Sequence, residues 1–292
     1  MSSWDDLRFF LEVARTGTLS AAGRSLAVNH TTVGRRLDAF EQELGVRLFR
    51  RSPSGFSLTE AGSSLLTDAE AAEAAVLAGR RRVLGTDDSL EGVLRVTTTD
   101  VLARTFVLPV LEDLQRDHPR LDLVLLASNT FADLERGDAD LAVRIAPTET
   151  PSLVTKRFGE ITYGLYGGER YLSQRGTPDE ARGLAGHTVL AYTGALGKSE
   201  QGGWLEARAT DARIGLRSDS IAALLDSAAR GRGLTVLPDP MAALDDRLRR
   251  VPWSETIPSR SAWFVFHPDQ RSNARLRAAI DAMEARAGSW VL

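Results

Sequence analysis

Residues 20–58 read SAAGRSLAVNHTTVGRRLDAFEQELGVRLFRRSPSGFSL, and this stretch decides the fold. Ser20 is a helix N-cap type, and Ala21, Ala22 and Leu26 put small or apolar side chains on one helical face. Ala27-Val28-Asn29 interrupts the pattern. Val33, Leu37, Phe40 and Leu44 then recur at helical spacing. Asn29 stands where its side chain can accept from first-turn N–H groups, and Gly45 where a helix commonly stops. The outward positions of this second helix are His30, Thr31, Thr32, Arg35 and Arg36, hydrogen-bonding groups and cations suited to base edges and phosphates. Val46–Arg51 and Phe56–Leu58 flank the turn Ser52-Pro53-Ser54-Gly55, which predicts a hairpin. Together these elements predict a winged helix-turn-helix.

Leu7, Phe10, Leu11 and Ala14 form an amphipathic helix that ends near Thr16-Gly17 and packs behind the other two. On the other side, Thr59-Glu60 opens a long helix with a capping hydroxyl and an acid at the positive end of the dipole. Leu65, Ala69, Ala72, Val76, Gly79 and Val83 make a stripe along it, ending at Arg80-Arg81-Arg82. Such a stripe must be buried, against its own domain or against a second copy. Its small residues favour a helix–helix dimer. Gly85–Ser89 is a polar hinge.

From Glu91 the pattern becomes strand–helix alternation. Strands are expected at 93–97, 121–126 and 141–145. The helices between them are 102–115, interrupted by Pro109, and a short one at 131–136. This βαβαβ order implies a parallel sheet. Strands at 188–191, 214–217, 234–237 and 263–266, a helix at 221–230 and a final helix at 272–286 follow, so two α/β lobes are expected, with crossings near 157–165 and 260–266.

Composition sets the outer bounds. A chain of 292 residues suggests two or three domains, and 43% hydrophobic content is ample for packed cores. Net charge is only −3, but within 20–58 the cations Arg24, Arg35, Arg36, Arg47, Arg50 and Arg51 outnumber Asp38, Glu41 and Glu43, six to three. There is no Cys, so disulfides and thiol chemistry are excluded. His30, His118, His187 and His267 are isolated and lack metal-ligand spacing. The start has no signal-peptide character, and no apolar run is long enough for a bilayer, so a cytoplasmic protein without membrane attachment is expected. Gly194–Ser199 ends like a phosphate-binding loop, but Tyr192 occupies its first Gly position. No G-x-S-x-G nucleophile motif is present, so no catalytic residue, cofactor or metal is assigned and the chain is not expected to be an enzyme.

Four runs carry a resemblance: Leu7–Ala14, Gly17–Ala22, Leu44–Arg51 and Leu58–Gly62. With weaker matches at Asp140–Arg144 and Gly233–Pro238, they resemble the LysR-type transcriptional regulators. The resemblance implies three parts: a winged helix-turn-helix at 1–58, a dimerising linker helix and hinge at 59–90, and a two-lobed α/β effector domain at 91–292 similar to periplasmic binding proteins. Lobe I is expected at about 91–160 and 267–292, lobe II at about 161–266. It also implies a homodimer through the linker helix, a homotetramer, and RNA polymerase as a further partner. Gly34 departs from the Ser or Thr of many members; it removes a base or phosphate contact and lets the helix backbone approach DNA closely.

The expected partner is double-stranded operator DNA, contacted by Asn29, His30, Thr31, Thr32, Arg35, Arg36, Arg50, Arg51 and Ser52. Arg35 is the strongest candidate for a base edge, and a dimer would read half-sites about 34 Å apart or a multiple. In α/β lobes ligands collect at the carboxyl ends of strands. The resemblance places a small-molecule effector between the lobes, so contacts are expected from Thr98, Thr99, Ser128, Asn129, Thr130, Tyr192 and Ser218. Effector binding would shift the lobes and change how the DNA heads sit, a coupling of ~1–3 kcal/mol. The competing readings are an enzyme, against which the missing motifs speak, and a ligand-binding adaptor or solute-binding-like protein without operator binding.

Overall fold

The helices at the amino terminus form around buried apolar side chains such as Phe10, Val33 and Leu37, and Thr18 and Asn29 cap the second and third of them. The computed structural model describes residues 4–53, 55–85, 89–127 and 133–290, with the helix backbone alone at 80–85 and 288–290. The chain divides into two units, Met1–Val83 and Leu84–Leu292.

In the first unit, α1 (Trp4–Thr16), α2 (Leu19–Ser25) and α3 (His30–Leu44) precede an antiparallel hairpin of β1 (Phe49–Ser52) and β2 (Gly55–Leu58), and α4 (Glu60–Gly85) follows. Phe10, Leu11, Val33, Leu37, Phe40, Leu48 and Phe49 make the core, with the Phe10 ring 5.4 Å from Phe49 and 6.5 Å from Phe40. Asn29 caps α3 as expected, its Oδ1 accepting from Thr31 N at 2.9 Å, and Gly45 closes the helix in the left-handed region at φ 71°. Ser20 is not the cap of α2. Gly17 (φ 69°) reverses the chain early, so Thr18 is already extended and its side chain accepts from Ala21 N at 3.2 Å. Leu44 is 40% exposed, and Glu41 takes the buried place on that turn instead.

The turn between α2 and α3 holds Ala27 at φ 54°, the one non-glycine in the left-handed region among the described residues. A Cβ there costs roughly 1–2 kcal/mol, part of which glycine returns as unfolded-chain entropy. Ala27→Gly is therefore expected to stabilise the head by about 0.5–1 kcal/mol in denaturant unfolding. A loss of stability would mean that Ala27 is not strained.

The stripe on α4 divides. Leu65 and Ala69 pack on the core of the first unit, and Arg15 of α1 grips Glu73 with Nη1 at 3.1 Å and Nη2 at 2.5 Å. That interaction raises the Arg15 guanidinium above its usual range. Further along, Val76 is half-exposed.

The second unit starts with β3 (Gly92–Thr98), α5 (Asp100–Leu102), a π-helical turn at Ala103–Val107 and α6 (Leu108–Asp117). Then come β4 (Leu121–Ala127), β5 (Leu141–Arg144), β6 (Val154–Ile161), β7 (Tyr163–Gly168) and α7 (Glu169–Arg175). After β8 (Thr188–Tyr192) follow α8 (Gly194–Gly197), α9 (Glu200–Arg208), β9 (Arg213–Ser218), α10 (Ile221–Ala229), β10 (Leu234–Pro238) and α11 (Asp239–Ala242). The unit closes with β11 (Leu248–Val251), β12 (Arg260–Phe266) and α12 (Ala274–Trp290). One sheet has the order β4-β3-β5-β12-β6, the other β11-β7-β10-β8-β9. The expected parallel core is present, β3 running parallel to both β4 and β5.

Three expectations change here. Pro109 does not interrupt its helix: the π-helical turn Ala103–Val107 widens the backbone just before it and accommodates the proline ring and its missing N–H. Residues 133–137 form a hydrogen-bonded turn and not a helix, with Asp138 N on Asp133 O at 3.0 Å; Phe131 and Ala132 lie outside the described residues. Strand β12 belongs to the first sheet, paired antiparallel with β5 and β6, so lobe II ends before Arg260. Among the described residues no helix is long and apolar enough to cross a membrane.

Candidate nucleic-acid interface and effector site

Helix α3 exposes a stripe of His30, Thr31, Arg35 and Asp38 while Val33, Leu37 and Phe40 face the core. Asn29 is committed to its cap, and Thr32 is half-buried. Of the six cations counted above, three are held internally. Arg36 donates to Asp6 at 3.2 Å and lies over the Phe9 ring, Arg47 donates to Glu41 at 2.7 Å, and Arg51 pairs with Asp38 and lies over the Phe56 ring. Arg24, Arg35 and Arg50 have no ion pair among the described residues, so their charge is open to a partner. Ser52 Oγ donates to Gly55 O at 3.1 Å and shapes the wing turn. Gly34 is set by packing against α2: a Cβ there would sit 3.3 Å from Leu19 Cδ1, which points into the α2–α3 contact and away from the exposed stripe.

One peptide unit ties the recognition helix, the wing and α4 together. The buried Glu41 carboxylate accepts from Leu48 N at 2.7 Å and Phe49 N at 3.0 Å. The carbonyl of the same Leu48 accepts from Thr59 N at 2.9 Å. Thr59 Oγ1 donates to Arg47 O at 2.7 Å and accepts from Gly62 N at 3.0 Å, capping α4. Gly62 lies so close that a Cβ would stand 2.1 Å from Leu48 O. The hairpin expected from Val46 starts at Phe49, which is paired with Leu58, while Leu48 is held by Glu41 and Thr59.

In the second unit, the expected effector residues that the structure describes lie at or just after strand ends. Thr98 is fully buried with Oγ1 donating to Val143 O at 3.0 Å. Thr99 caps α5, its Oγ1 accepting from Leu102 N at 3.5 Å. Tyr192 and Ser218 are register partners on β8 and β9. Tyr192 is buried, donates to Val236 O at 2.7 Å, and has its phenol pushed up by burial; Ser218 Oγ accepts from Ser220 N at 3.1 Å. Helix α11, at the end of β10, comes against the π-helical turn after β3, so carboxyl ends of the two sheets approach each other. Ser128, Asn129 and Thr130 lie outside the described residues.

Two features were not read from the sequence. Arg144, at the end of β5, is buried, donates Nη2 to Thr97 Oγ1 at 3.2 Å, and has its guanidinium pulled down by desolvation. A charged residue closing the apolar run Leu141–Val143 was its signal. A cleft of about 510 Å³ opens beside the β6–β7 crossover, lined by Glu160, Tyr163, Arg250, Trp253 and Glu255 among others, and by none of the expected effector residues. Burial pushes the Tyr163 phenol up to about 12, with Arg260 opposing. The phosphate-loop-like segment is spent on capping: Ser199 Oγ accepts from Gly202 N at 3.1 Å.

Comparison with known proteins adds to this geometry. The HTH-type transcriptional regulator CrgA of Neisseria meningitidis serogroup C is 27% identical over 189 residues, covering 65% of this chain and 63% of that protein. The chain therefore aligns with somewhat under two thirds of that relative's length. The iron-regulated virulence regulatory protein IrgB of Vibrio cholerae is 26% identical over 304 residues, covering 99% of this chain and 100% of IrgB. The full-length structure of the Vibrio cholerae virulence activator AphB has the same fold, with a TM-score of 0.65 at 21% identity over 98% of this chain and 100% of AphB. Residues 4–63 match the family described as bacterial regulatory helix-turn-helix protein, lysR family, and residues 87–288 match the LysR substrate binding domain. With more than half of its length inside those two matches, the chain belongs to the LysR-type family of transcriptional regulators.

Proposed function

We propose that this protein reads operator DNA with α3 and its wing and changes that reading when a small molecule binds where the strand ends of its two sheets approach. The observation that carries the proposal is the capped α3, whose exposed stripe holds Arg35 without an internal ion pair, beside Arg24 and Arg50 in the same condition. Unpaired cations around a groove-sized helix are the electrostatic requirement of DNA binding. Arg35, His30, Thr31 and Thr32 face bases. Arg50, Arg51, Arg36 and Ser52 hold the backbone, and Asn29 sets the helix start.

Effector contact falls to Thr99 and Ser218 at the strand ends, with the buried Thr98 and Tyr192 as the floor beneath and Ser128–Thr130 as further contacts. The protein acts in the cytoplasm without catalysis. It is a homodimer through the outer half of α4, where Ala72, Val76 and Gly79 are not fully buried. The edge strands β4 and β9 support a second contact and hence a tetramer, because Val124, Leu126, Ile214 and Leu216 are exposed aliphatic residues on open sheet edges. RNA polymerase is the partner that senses the altered DNA complex.

The test is selection of bound duplexes from random DNA, then anisotropy titration of wild type and Arg35→Ala at two salt concentrations. A two-fold-symmetric site is expected, with affinity falling about 5- to 150-fold in Arg35→Ala and weakening with salt. No enrichment, with wild type and variant binding alike, would overturn the DNA reading and leave an effector-binding adaptor.

A further inference from the structure

Asp38 is the acid that interrupts an otherwise cationic surface. It follows Arg35 by three residues on the same exposed stripe of α3, on the side facing the wing. Its carboxylate pairs with Arg51 of β1 and lies 3.9 Å from Arg47 Nη1. Arg47 is already committed to Glu41 at 2.7 Å, so Arg51 is the cation that depends on Asp38. The Phe56 ring, register partner of Arg51 across the hairpin, supports the guanidinium 5.5 Å away. Both partners of the pair are about half-exposed, so the pair can open without unfolding anything. Its neighbour Arg50 points to the opposite side of the strand and carries no such tether.

Two consequences follow from elementary electrostatics. A DNA phosphate that approaches the wing meets Asp38 first as a repelling charge and then as a competitor for Arg51. A carboxylate on a recognition helix also has one favourable use in the major groove, accepting from an exocyclic amino group such as cytosine N4. Resting on the DNA-binding reading above, we propose that Asp38 is a specificity-determining residue that couples base identity to phosphate grip. On a correct half-site a base amino group replaces Arg51 as the donor to Asp38, and Arg51 turns to the phosphate backbone. On a wrong sequence Asp38 keeps Arg51, and the phosphate contact is forfeited together with the base contact. The exchange conserves hydrogen bonds on the operator and loses them elsewhere, so a surface pair becomes a device for discrimination.

The experiment compares full-length wild type, Asp38→Asn, Arg51→Ala and the double variant on the selected operator and on a scrambled duplex, at two salt concentrations. Asp38→Asn is expected to bind the scrambled duplex about fivefold tighter, with a salt slope steeper by about one because Arg51 now reaches phosphate there. The ratio of operator to scrambled affinity should fall about tenfold or more, and repeated selection should lose its preference at one position per half-site. In the Arg51→Ala background the gain on scrambled DNA should vanish. The proposal is overturned if Asp38→Asn leaves the scrambled affinity and the selected motif unchanged. It is also overturned if the gain persists without Arg51, which would make the effect one of net charge alone. If wild type itself shows no salt-sensitive affinity for any duplex, the DNA-binding reading falls and takes the exchange with it. Wild-type binding with no Asp38 effect removes the exchange only.

Discussion

Glu41→Ala is expected to destabilise the DNA head by about 3 kcal/mol, since it strands two buried main-chain N–H groups at about 1–3 kcal/mol each. Those groups are Leu48 N and Phe49 N, whose sole role at this point is to face the carboxylate on the last turns of α3. The ion pair with Arg47 adds little, because Arg47 is largely in water. Glu41→Gln should lose only about 1 kcal/mol, since both N–H groups donate to the one oxygen Oε1 and an amide oxygen can still accept from both, more weakly than a carboxylate. The measurement is hydrogen–deuterium exchange of peptides covering residues 45–52, where Glu41→Ala should reduce protection about 100-fold. Wild-type protection in Glu41→Ala would show that the carboxylate does not hold the loop.

Gly62→Ala should be at least as damaging. A helical Gly→Ala change ordinarily gains up to ~1 kcal/mol. Here the new methyl would lie 2.1 Å from Leu48 O and 3.0 Å from Leu58 Cδ2, and a backbone carbonyl already bonded to Thr59 N cannot step aside as a side-chain tip can. The first turn of α4 must lift, weakening the Thr59 N–Leu48 O bond at the same time. Overpacking of this kind costs about 1–3 kcal/mol or more, so a net loss of about 3 kcal/mol is expected with the lost hydrogen bond included. Gly203→Ala, inside α9, is the control. A Cβ there meets nothing within 4 Å, so the propensity gain of up to ~1 kcal/mol stands alone. Denaturant unfolding of the two variants should move in opposite directions, and a Gly62→Ala protein as stable as wild type would refute the close packing.

The recognition helix was legible because everything that defines it is local. Asn29 and Gly45 are end signals, and Val33, Leu37 and Phe40 keep a helical period. Thr18 was hidden as a cap because the choice between it and Ser20 depends on the conformation of Gly17, which no spacing reveals. Chain order puts β12 in lobe II because it does not tell which sheet a returning strand joins; antiparallel pairing with β5 and β6 places it in the first sheet. The β6–β7 crossover was anticipated as a crossing, but β7, Tyr163–Gly168, is half glycine and reads poorly as a strand. Its Gly164 is packed within 2.7 Å, for a built Cβ, of Arg250, Asp239 and Tyr166. In the sequence Glu41 is merely one negative charge among three in residues 20–58. A carboxylate on a helix reads as solvated until the chain after Gly45 is seen to fold back over it.

The Leu48 peptide has a mechanical meaning. Glu41 holds its N–H and Thr59 its carbonyl, while the Arg15–Glu73 fork fastens the next turns of α4 to α1. From Glu60 to Glu73, a run of about 20 Å, the helix cannot bend against the head without breaking one of these ties. The linker helix is thus the shaft of a stiff lever whose blade is the groove-reading surface. A rotation delivered to the helix near Glu73 passes through these ties to the exposed face of α3, with no soft joint between them.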